Sequence, residues 1–127
     1  MSLNISSQIL SLPSQRVKQV QHDLDHPKLT ITCSRDRRFR VVDPTTGRSG
    51  SINSYQRRTI RDLPLCGFDC YLEIELAQVN TSNGRRLLEK GDFVETGNRY
   101  TLRFCQLVSG LCRHMSISSV AKHLHLR

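Results

Sequence analysis

The chain has 127 residues and a formal net charge of +8 at pH 7, with 37% hydrophobic and 24% charged residues. This length suits one domain, or two very small ones, with a modest hydrophobic core. No apolar run approaches the roughly 20 residues of a membrane-spanning helix, so we expect no membrane contact. The N-terminus lacks the basic and apolar stretches of a secretory signal. Five cysteines, an odd number, then favour reduced thiols in a cytoplasmic protein over a disulfide framework.

The positive charge is concentrated in two parts of the chain. Residues 28–62 carry nine basic and three acidic groups, and residues 99–127 carry five basic groups and no carboxylate. Residues 63–98, between them, have a net charge of −3. Two such blocks are typical of phosphate-facing surfaces on one scaffold. An ordinary solvated basic surface would have the same charge pattern, so charge alone leaves both interpretations open.

The first third of the chain predicts β-structure. Ile9–Pro13 is a short apolar segment, extended because a proline ends it. A strand is predicted over residues 17–22, followed by a turn over residues 23–27. In residues 28–33 apolar and polar side chains alternate, as in a strand with one buried face. Together these segments predict a β-hairpin.

A turn, a loop and a basic strand are predicted next. Asp43–Gly47 has the composition of a turn, and residues 48–53 lack periodicity and predict an exposed loop. Residues 57–62 predict a basic strand that ends at Leu63-Pro64. Arg57 and Arg61 would lie on one face of this strand and Arg58 on the other.

The longest strand signal spans residues 70–77, where apolar side chains alternate with polar ones. Asn83-Gly84 is a favoured dipeptide for a tight hairpin turn, which makes residues 85–89 the returning arm. These segments and the helices that follow predict an α+β fold with a small antiparallel β-rich unit.

The C-terminal part predicts two short amphipathic helices. Asn98 or Thr101 can cap the first and Ser116 the second. Apolar residues recur at helical spacing in both, at Phe104, Leu107, Val108, Leu111 and Met115 and then at Ile117, Val120, Ala121 and Leu124. Two such helices with a basic turn form the first two-thirds of a helix-turn-helix. The predicted division is a β-rich domain at residues 1–97 and a partial helix-turn-helix at residues 98–127, without the third, base-reading helix.

Metal and catalytic chemistry are poorly supported. Cys66 and Cys70 are separated by three residues and have no second close pair, whereas a zinc ribbon needs two pairs. Nucleophile elbows, phosphate loops and paired-histidine metal helices are missing. Glu73 and Glu75 are the only close carboxylate pair on a predicted strand, and they lie opposite its apolar face. We therefore predict no cofactor, no metal and no catalytic residue.

Nucleic-acid binding is the best-supported chemistry, because arginine and lysine neutralise phosphates and serines at a helix start can bind them. Few aromatic residues are present, which favours the backbone of a duplex over stacked single-stranded bases. Each of these side chains could instead serve capping or solvation. The predicted DNA-binding residues are Arg35, Arg37, Arg38, Arg40, Arg57, Arg58, Arg61, Arg113, Ser116, Ser118, Ser119, Lys122 and Arg127.

The chain resembles the N-terminal part of bacterial insertion-sequence transposases of the ISL-three family. The resemblance is carried by Ile9–Pro13, by Arg61-Asp62-Leu63-Pro64, and by the second-helix pattern Ser116–Leu124. It implies a zinc-ribbon-like unit followed by a helix-turn-helix that binds terminal inverted repeats during transposition. The ribbon would have lost its metal, because Asp43–Gly47 and residues 78–84 keep the turns of the family's two knuckles without their thiols.

The family's ribonuclease-H-like catalytic domain would lie beyond Arg127, so the resemblance implies a truncated transposase without activity of its own. The expected partner is double-stranded DNA, bound weakly through its phosphates in the nucleoid. An alternative is a non-enzymatic interaction module. Its apolar stripe Phe104–Met115 would dock a protein, such as a full-length transposase or a second copy, and could inhibit transposition.

Overall fold

The computed structural model describes residues 12, 14–23, 25, 27–65, 67–81, 83–89, 93 and 99–126. Within them lie five strands and two helices. They are β1 (Gln15–Asp23), β2 (Lys28–Arg35), β3 (Ser51–Leu65), β4 (Phe68–Asn80), β5 (Arg86–Leu88), α1 (Leu102–Cys112) and α2 (Ile117–His123). This confirms the predicted α+β class. No helix in these ranges is long and apolar enough to cross a membrane. Of the predicted Ile9–Pro13 segment, only Leu12 is among the described residues, and it is buried.

The strands form one sheet in the order β1-β2-β4-β3, with β5 paired to the end of β4. The predicted hairpins β1–β2 and β4–β5 are both antiparallel, as is β3–β4. The expectation of an antiparallel unit is wrong at one place, because β2 and β4 are parallel. Residues 36–50 and β3 separate these two strands in sequence, and a parallel pair needs such a long connection.

The central hairpin is longer than predicted. β3 begins at Ser51, and its pairing with β4 starts at once, with Ser51 opposite Asn80. The predicted loop over residues 48–53 is therefore wrong from Ser51 onward. The sequence misses this extension because most side chains at the start of β3 are polar and exposed, whereas backbone pairing with β4 holds the strand.

The two faces of the sheet differ in character. The core face carries a buried cluster that includes Ile31, Cys33, Ile60, Leu72 and Ile74, which confirms the predicted alternation along β4. We call the opposite side the outer face. Along β4 it carries the residues that alternate with the buried ones, and most of these are polar. At the far end of β4 the outer face is covered by a second cluster of Val41, Ala77 and Val79.

Two predicted turns are present. In Asp43–Gly47 the Asp43 carboxylate accepts hydrogen bonds from the Thr45 backbone at 2.8 Å and from the Thr45 hydroxyl at 2.6 Å. Gly47 and Gly84 both have positive φ values, 74° and 82°, a conformation that glycine adopts without steric cost. Thr81 and Arg85 close the Asn83-Gly84 turn with a backbone hydrogen bond of 2.8 Å.

Candidate nucleic-acid interface

The two helices form a compact unit at one end of the sheet. Thr101 caps α1 and Ser116 caps α2, each side chain accepting a hydrogen bond from a backbone N–H three residues on. Phe104 of α1 packs against Val120 and Leu124 in a shared cluster. Both predicted helices are thus confirmed, and Thr101 is the N-cap of the first.

The apolar stripe of α1 is mostly used inside this unit. Phe104 is 1% exposed, and Leu107, Val108 and Leu111 pack against the same cluster. Met115 is 37% exposed. The stripe is therefore only partly open for docking, since Leu107, Val108 and Leu111 are half-buried. The interaction module stays a prediction. In α2 the predicted apolar face is incomplete, because Ile117 is 79% exposed.

The polar side of the unit is basic. Arg113 and His114 lie exposed in the turn, and Lys122 and His123 are exposed on the last turn of α2. The acid-free composition of residues 99–127 means that no carboxylate within the unit opposes these side chains. An exposed basic surface of this kind attracts phosphate groups.

The three predicted serines bond to one another. The Ser116 hydroxyl accepts from the Ser119 backbone at 3.2 Å and bonds to the Ser119 hydroxyl at 2.8 Å, and the Ser118 hydroxyl lies 3.4 Å away. This arrangement is a helix cap. All three residues are exposed, so they remain accessible from solvent.

Arg61 lies inside the protein and docks α2 onto the sheet. Its side chain is 7% exposed and donates to the backbone oxygens of Leu124 and of His125, the latter at 3.2 Å. It also pairs with Asp69 at 3.2 Å, and His125 Nδ1 lies 2.9 Å from the same carboxylate. Arg61 was predicted as a DNA contact; in the structure it closes the C-terminus of α2 instead, where a positive charge is favourable.

The next residue, Asp62, holds the start of α1. Its carboxylate accepts from the Thr101 hydroxyl at 2.8 Å and from Arg103 Nε at 2.7 Å. Hydrogen bonds between the backbones of Arg61 and Thr101 (2.9 Å) and of Arg61 and Arg99 (2.8 Å) add a short parallel bridge. The Arg61-Asp62 dipeptide therefore fixes both helices to β3.

Arg35 is also turned inward. It is 4% exposed and forms a two-point ion pair with Glu89, with distances of 2.7 and 3.1 Å. Its guanidinium further donates to the backbone oxygen of Phe39 at 3.0 Å. It joins β2, the following loop and the end of the β5 hairpin, and Glu89 neutralises its charge.

Arg37, Arg38 and Arg40 are exposed on the loop after β2. Arg37 stacks on the Tyr55 ring, 3.6 Å from its centroid, and pairs with Glu75 at 3.1 Å. Arg38 pairs with Asp36 at 2.8 Å, and its hydrogen bonds to that carboxylate lower the pKa of Asp36 to about 2.

The remaining predicted arginines lie on β3 or outside the described residues. Arg57 is exposed and stands opposite Glu75 on the outer face. Arg58 stands opposite the buried Ile74, on the core face, and is half-buried. The predicted separation of Arg57 and Arg58 onto two faces is confirmed. Arg127 lies outside the described residues.

The buried thiols favour their neutral form. Burial raises the pKa of Cys33 to about 12 and that of Cys70 to about 11. Neutral thiols are poor metal ligands. Among the residues that the structure describes, no three histidine, cysteine or carboxylate side chains lie close enough to hold a metal ion. Cys66 lies outside those residues.

Two exposed cations near the start of β1 were not among the predicted site residues. Arg16 and Lys18 line a cleft on the outer face together with Arg37, Arg38 and Asp36. In sequence, Arg16 and Lys18 stand in a segment of balanced charge, so composition gave no signal. Only the pairing of β1 with β2, which sets Arg16 opposite Ser34, brings them beside the basic loop.

This capped two-helix unit with a basic exposed side has the features of a helix-turn-helix, a class of domain that binds DNA. Residues 89–126 match the family model described as the helix-turn-helix domain of transposase family ISL3. No curated protein and no solved structure matches the chain. The chain thus carries an ISL3-type helix-turn-helix segment, which supports DNA binding related to transposition. The zinc-ribbon resemblance of the preceding sheet has no such support.

Proposed function

We propose that this protein binds double-stranded DNA through its helix-turn-helix unit in a role related to transposition, and that at terminal inverted repeats it contributes phosphate contacts with little preference for base sequence. The observation that carries the proposal is the match of residues 89–126 to an ISL3 helix-turn-helix model. The basic side of this unit supports it, because it displays Arg113 and Lys122 in a segment without acids. The protein acts as a binding module and has no catalytic step of its own.

Phosphate contacts provide most of the affinity. Arg113 and Lys122 contact the backbone from the unit itself, with Arg127 as a predicted third contact. The exposed hydroxyls of Ser116 and Ser118 are short hydrogen-bonding groups suited to nearby phosphates. Binding of this kind depends steeply on salt and only weakly on base sequence.

Fluorescence anisotropy with two labelled duplexes tests the proposal. One duplex carries an ISL3-type terminal inverted repeat and the other a scrambled sequence of equal length. We expect both to bind with similar affinity. The double variant Arg113→Gln/Lys122→Gln should reduce the slope of log affinity against log salt by about 2, since each lost phosphate contact contributes about 0.9.

The matched control is Arg85→Gln/Arg86→Gln, which removes the same charge from exposed residues of the β4–β5 hairpin. This control should leave the slope almost unchanged. Absence of duplex binding at low salt would rule out the proposed function. An equal effect of both double variants would show attraction to overall charge, with no defined interface.

A small apolar site is the second candidate. Met115, in the turn between the helices, and Ile117, the first residue of α2, are both exposed, at 37% and 79%. Such a pair can contact a protein partner such as a full-length transposase or a second copy. Sedimentation of wild type and Ile117→Ser at several concentrations tests self-association. If this apolar site binds a second copy, wild type forms a dimer and Ile117→Ser weakens it.

A further inference from the structure

The cleft on the outer face lies along the sheet from the helices, at the end of β2 and beside Glu75 of β4. Its exposed cations are Arg16, Lys18, Arg37 and Arg38, and its carboxylates are those of Asp36 and Glu75. Arg35 also lines it, but Glu89 neutralises that buried charge. Four exposed cations thus face two carboxylates, and the cleft has an excess of positive charge. Anions are the ligands that such a cleft attracts.

Two of these arginines are held in place while staying open to solvent. Arg38 makes four hydrogen bonds to the Asp36 carboxylate, three from its side chain and one from its backbone, yet its side chain is 81% exposed. Arg37 is fixed between Tyr55 and Glu75 and is 54% exposed. A guanidinium that is already ordered loses less conformational entropy when it binds a phosphate.

The cleft and the end of α2 lie along the same strand and on the same face. Asp69 contacts His125 just after α2, and Glu75 lies in the cleft. Both belong to the outer-facing set of β4, which alternates with the buried residues Cys70, Leu72 and Ile74. Six residues of strand at about 3.3 Å each place them about 20 Å apart.

The outer face between these two points carries charges of both signs. Lys28 lies 4.6 Å from the centroid of the Tyr71 ring, and the exposed Arg57 stands opposite Glu75. Glu73 lies about two-thirds of the way from Asp69 to Glu75 and is half-buried, with its carboxylate 3.3 Å from the Thr32 hydroxyl. Asp69 and Glu75 flank it on the same face. These cations are offset by Asp69, Glu73 and Glu75. The excess of positive charge that attracts a phosphate strand therefore lies in the cleft and on the helix-turn-helix. A distance of about 20 Å is comparable to a major groove of about 12 Å together with the phosphate strands that border it.

We propose that the cleft formed by Arg16, Lys18, Arg37 and Arg38 is a second phosphate-binding site for duplex DNA, so that one duplex bridges the cleft and the helix-turn-helix. This inference rests on the proposed function, since the same duplex occupies both sites. A DNA groove then faces Glu73. Of the two phosphate strands that border this groove, one lies in the cleft and the other lies against the basic side of the helix-turn-helix. The bound duplex must cover about 20 Å, or about 6 base pairs at about 3.4 Å each.

The test combines a cleft variant with duplexes of two lengths. Arg16→Gln/Lys18→Gln removes two cleft cations whose positions on β1 are exposed. On a labelled duplex of about 20 base pairs, we expect this variant to reduce the salt slope by about 2. On a hairpin with a stem of about 5 base pairs, which is too short to bridge, we expect wild type and variant to bind equally weakly.

The controls separate this inference from the proposed function. Arg85→Gln/Arg86→Gln should leave both duplexes unaffected, and circular dichroism with thermal unfolding checks the fold of each variant. Lys18→Gln alone provides a milder variant, with an expected change in slope of about 1. If Arg113→Gln/Lys122→Gln weakens binding while both cleft variants bind the long duplex like wild type, the cleft is not a DNA site and the proposed function stands.

Other results would also overturn the inference. An equal loss on the short and long duplexes would show that the cleft does not bridge to the helices. Equal binding of the long duplex and a single strand of the same length would show that duplex geometry is not read. If wild-type protein fails to bind any duplex at low salt, the proposed function and the cleft proposal fail together.

Discussion

The guanidinium of Arg61 donates a hydrogen bond of 3.2 Å to the backbone oxygen of His125, across 64 residues of chain. It also donates to Leu124 and pairs with Asp69. A helix of seven residues such as α2 is short for independent stability, so its position depends on contacts of this kind. The contacts of Arg61, a residue of β3, therefore set the orientation of the helix-turn-helix relative to the sheet.

Replacing Arg61 should destabilise the protein. Arg61→Leu keeps apolar bulk but removes the donor to the backbone oxygens of Leu124 and His125 and one of the two partners of Asp69, and we expect a loss of about 3 kcal/mol in the free energy of unfolding. Arg61→Lys retains the charge without the forked geometry and should lose somewhat less. Urea unfolding measures both, with the exposed Arg57→Lys as control. An Arg61→Leu protein as stable as wild type would contradict the docking role.

Thr101 should show the combined effect of a cap and a buried hydrogen bond. Its side chain is 0% exposed, accepts from the Phe104 backbone and donates to Asp62. Thr101→Val removes both bonds at similar volume, and we expect a loss of about 2 kcal/mol. Thr101→Ser keeps the hydroxyl and should lose clearly less. Equal unfolding midpoints for the two variants would show that the hydroxyl contributes little.

The Asp36–Arg38 pair predicts a change of stability in acid. Hydrogen bonds from Arg38 lower the pKa of Asp36 from its ordinary value of 3.8 to about 2. A lowered carboxyl pKa stabilises the folded state above the ordinary value, and this contribution is lost as the pH falls from 3.8 to about 2. Arg38→Gln should therefore unfold at a lower urea concentration than wild type at neutral pH. As the pH is lowered, the difference in urea midpoint between Arg38→Gln and wild type should shrink. The difference between Arg40→Gln and wild type should show no such trend.

Two glycines should respond in opposite directions to alanine. At Gly50 a Cβ would lie 2.5 Å from Cγ1 of the buried Val79 and 3.2 Å from the Asp43 backbone nitrogen. Gly50→Ala should therefore destabilise the protein by about 1–3 kcal/mol. Gly110 lies within α1 with nothing within 4 Å of its Cβ position, so Gly110→Ala should stabilise by up to about 1 kcal/mol. Thermal unfolding compares the two, and changes of the same sign would contradict the expectation.

The cysteines should differ in reactivity. Cys112 is exposed, whereas Cys33 and Cys70 are buried with pKa values raised to about 12 and about 11. A maleimide at about pH 8 should modify Cys112 rapidly, because the thiolate is the nucleophile and its access is open. Mass spectrometry of timed samples should find Cys33 and Cys70 unmodified until denaturant is added. Their rapid labelling in native protein would contradict the burial.

The sequence by itself predicted the parts of the protein that local chemistry controls. Alternating side chains predicted β4 and the first hairpin, and Asn83-Gly84 predicted the second. Ser116 marked the start of α2, and Thr101 was one of two candidates for the start of α1, because an N-cap needs only a side-chain oxygen and the backbone that follows. The predicted helical unit is also where the family model matches.

The tertiary structure decided which arginines are available. Arg35 and Arg61 look like their exposed neighbours in sequence, yet both are buried by partners 54 and 64 residues away. It also decided the parallel pairing of β2 with β4 and the meeting of Arg16 with Arg37 and Arg38. Contacts between distant segments depend on how strands are ordered in the sheet. Neither periodicity nor composition contains that order, because both describe a residue only by its neighbours along the chain.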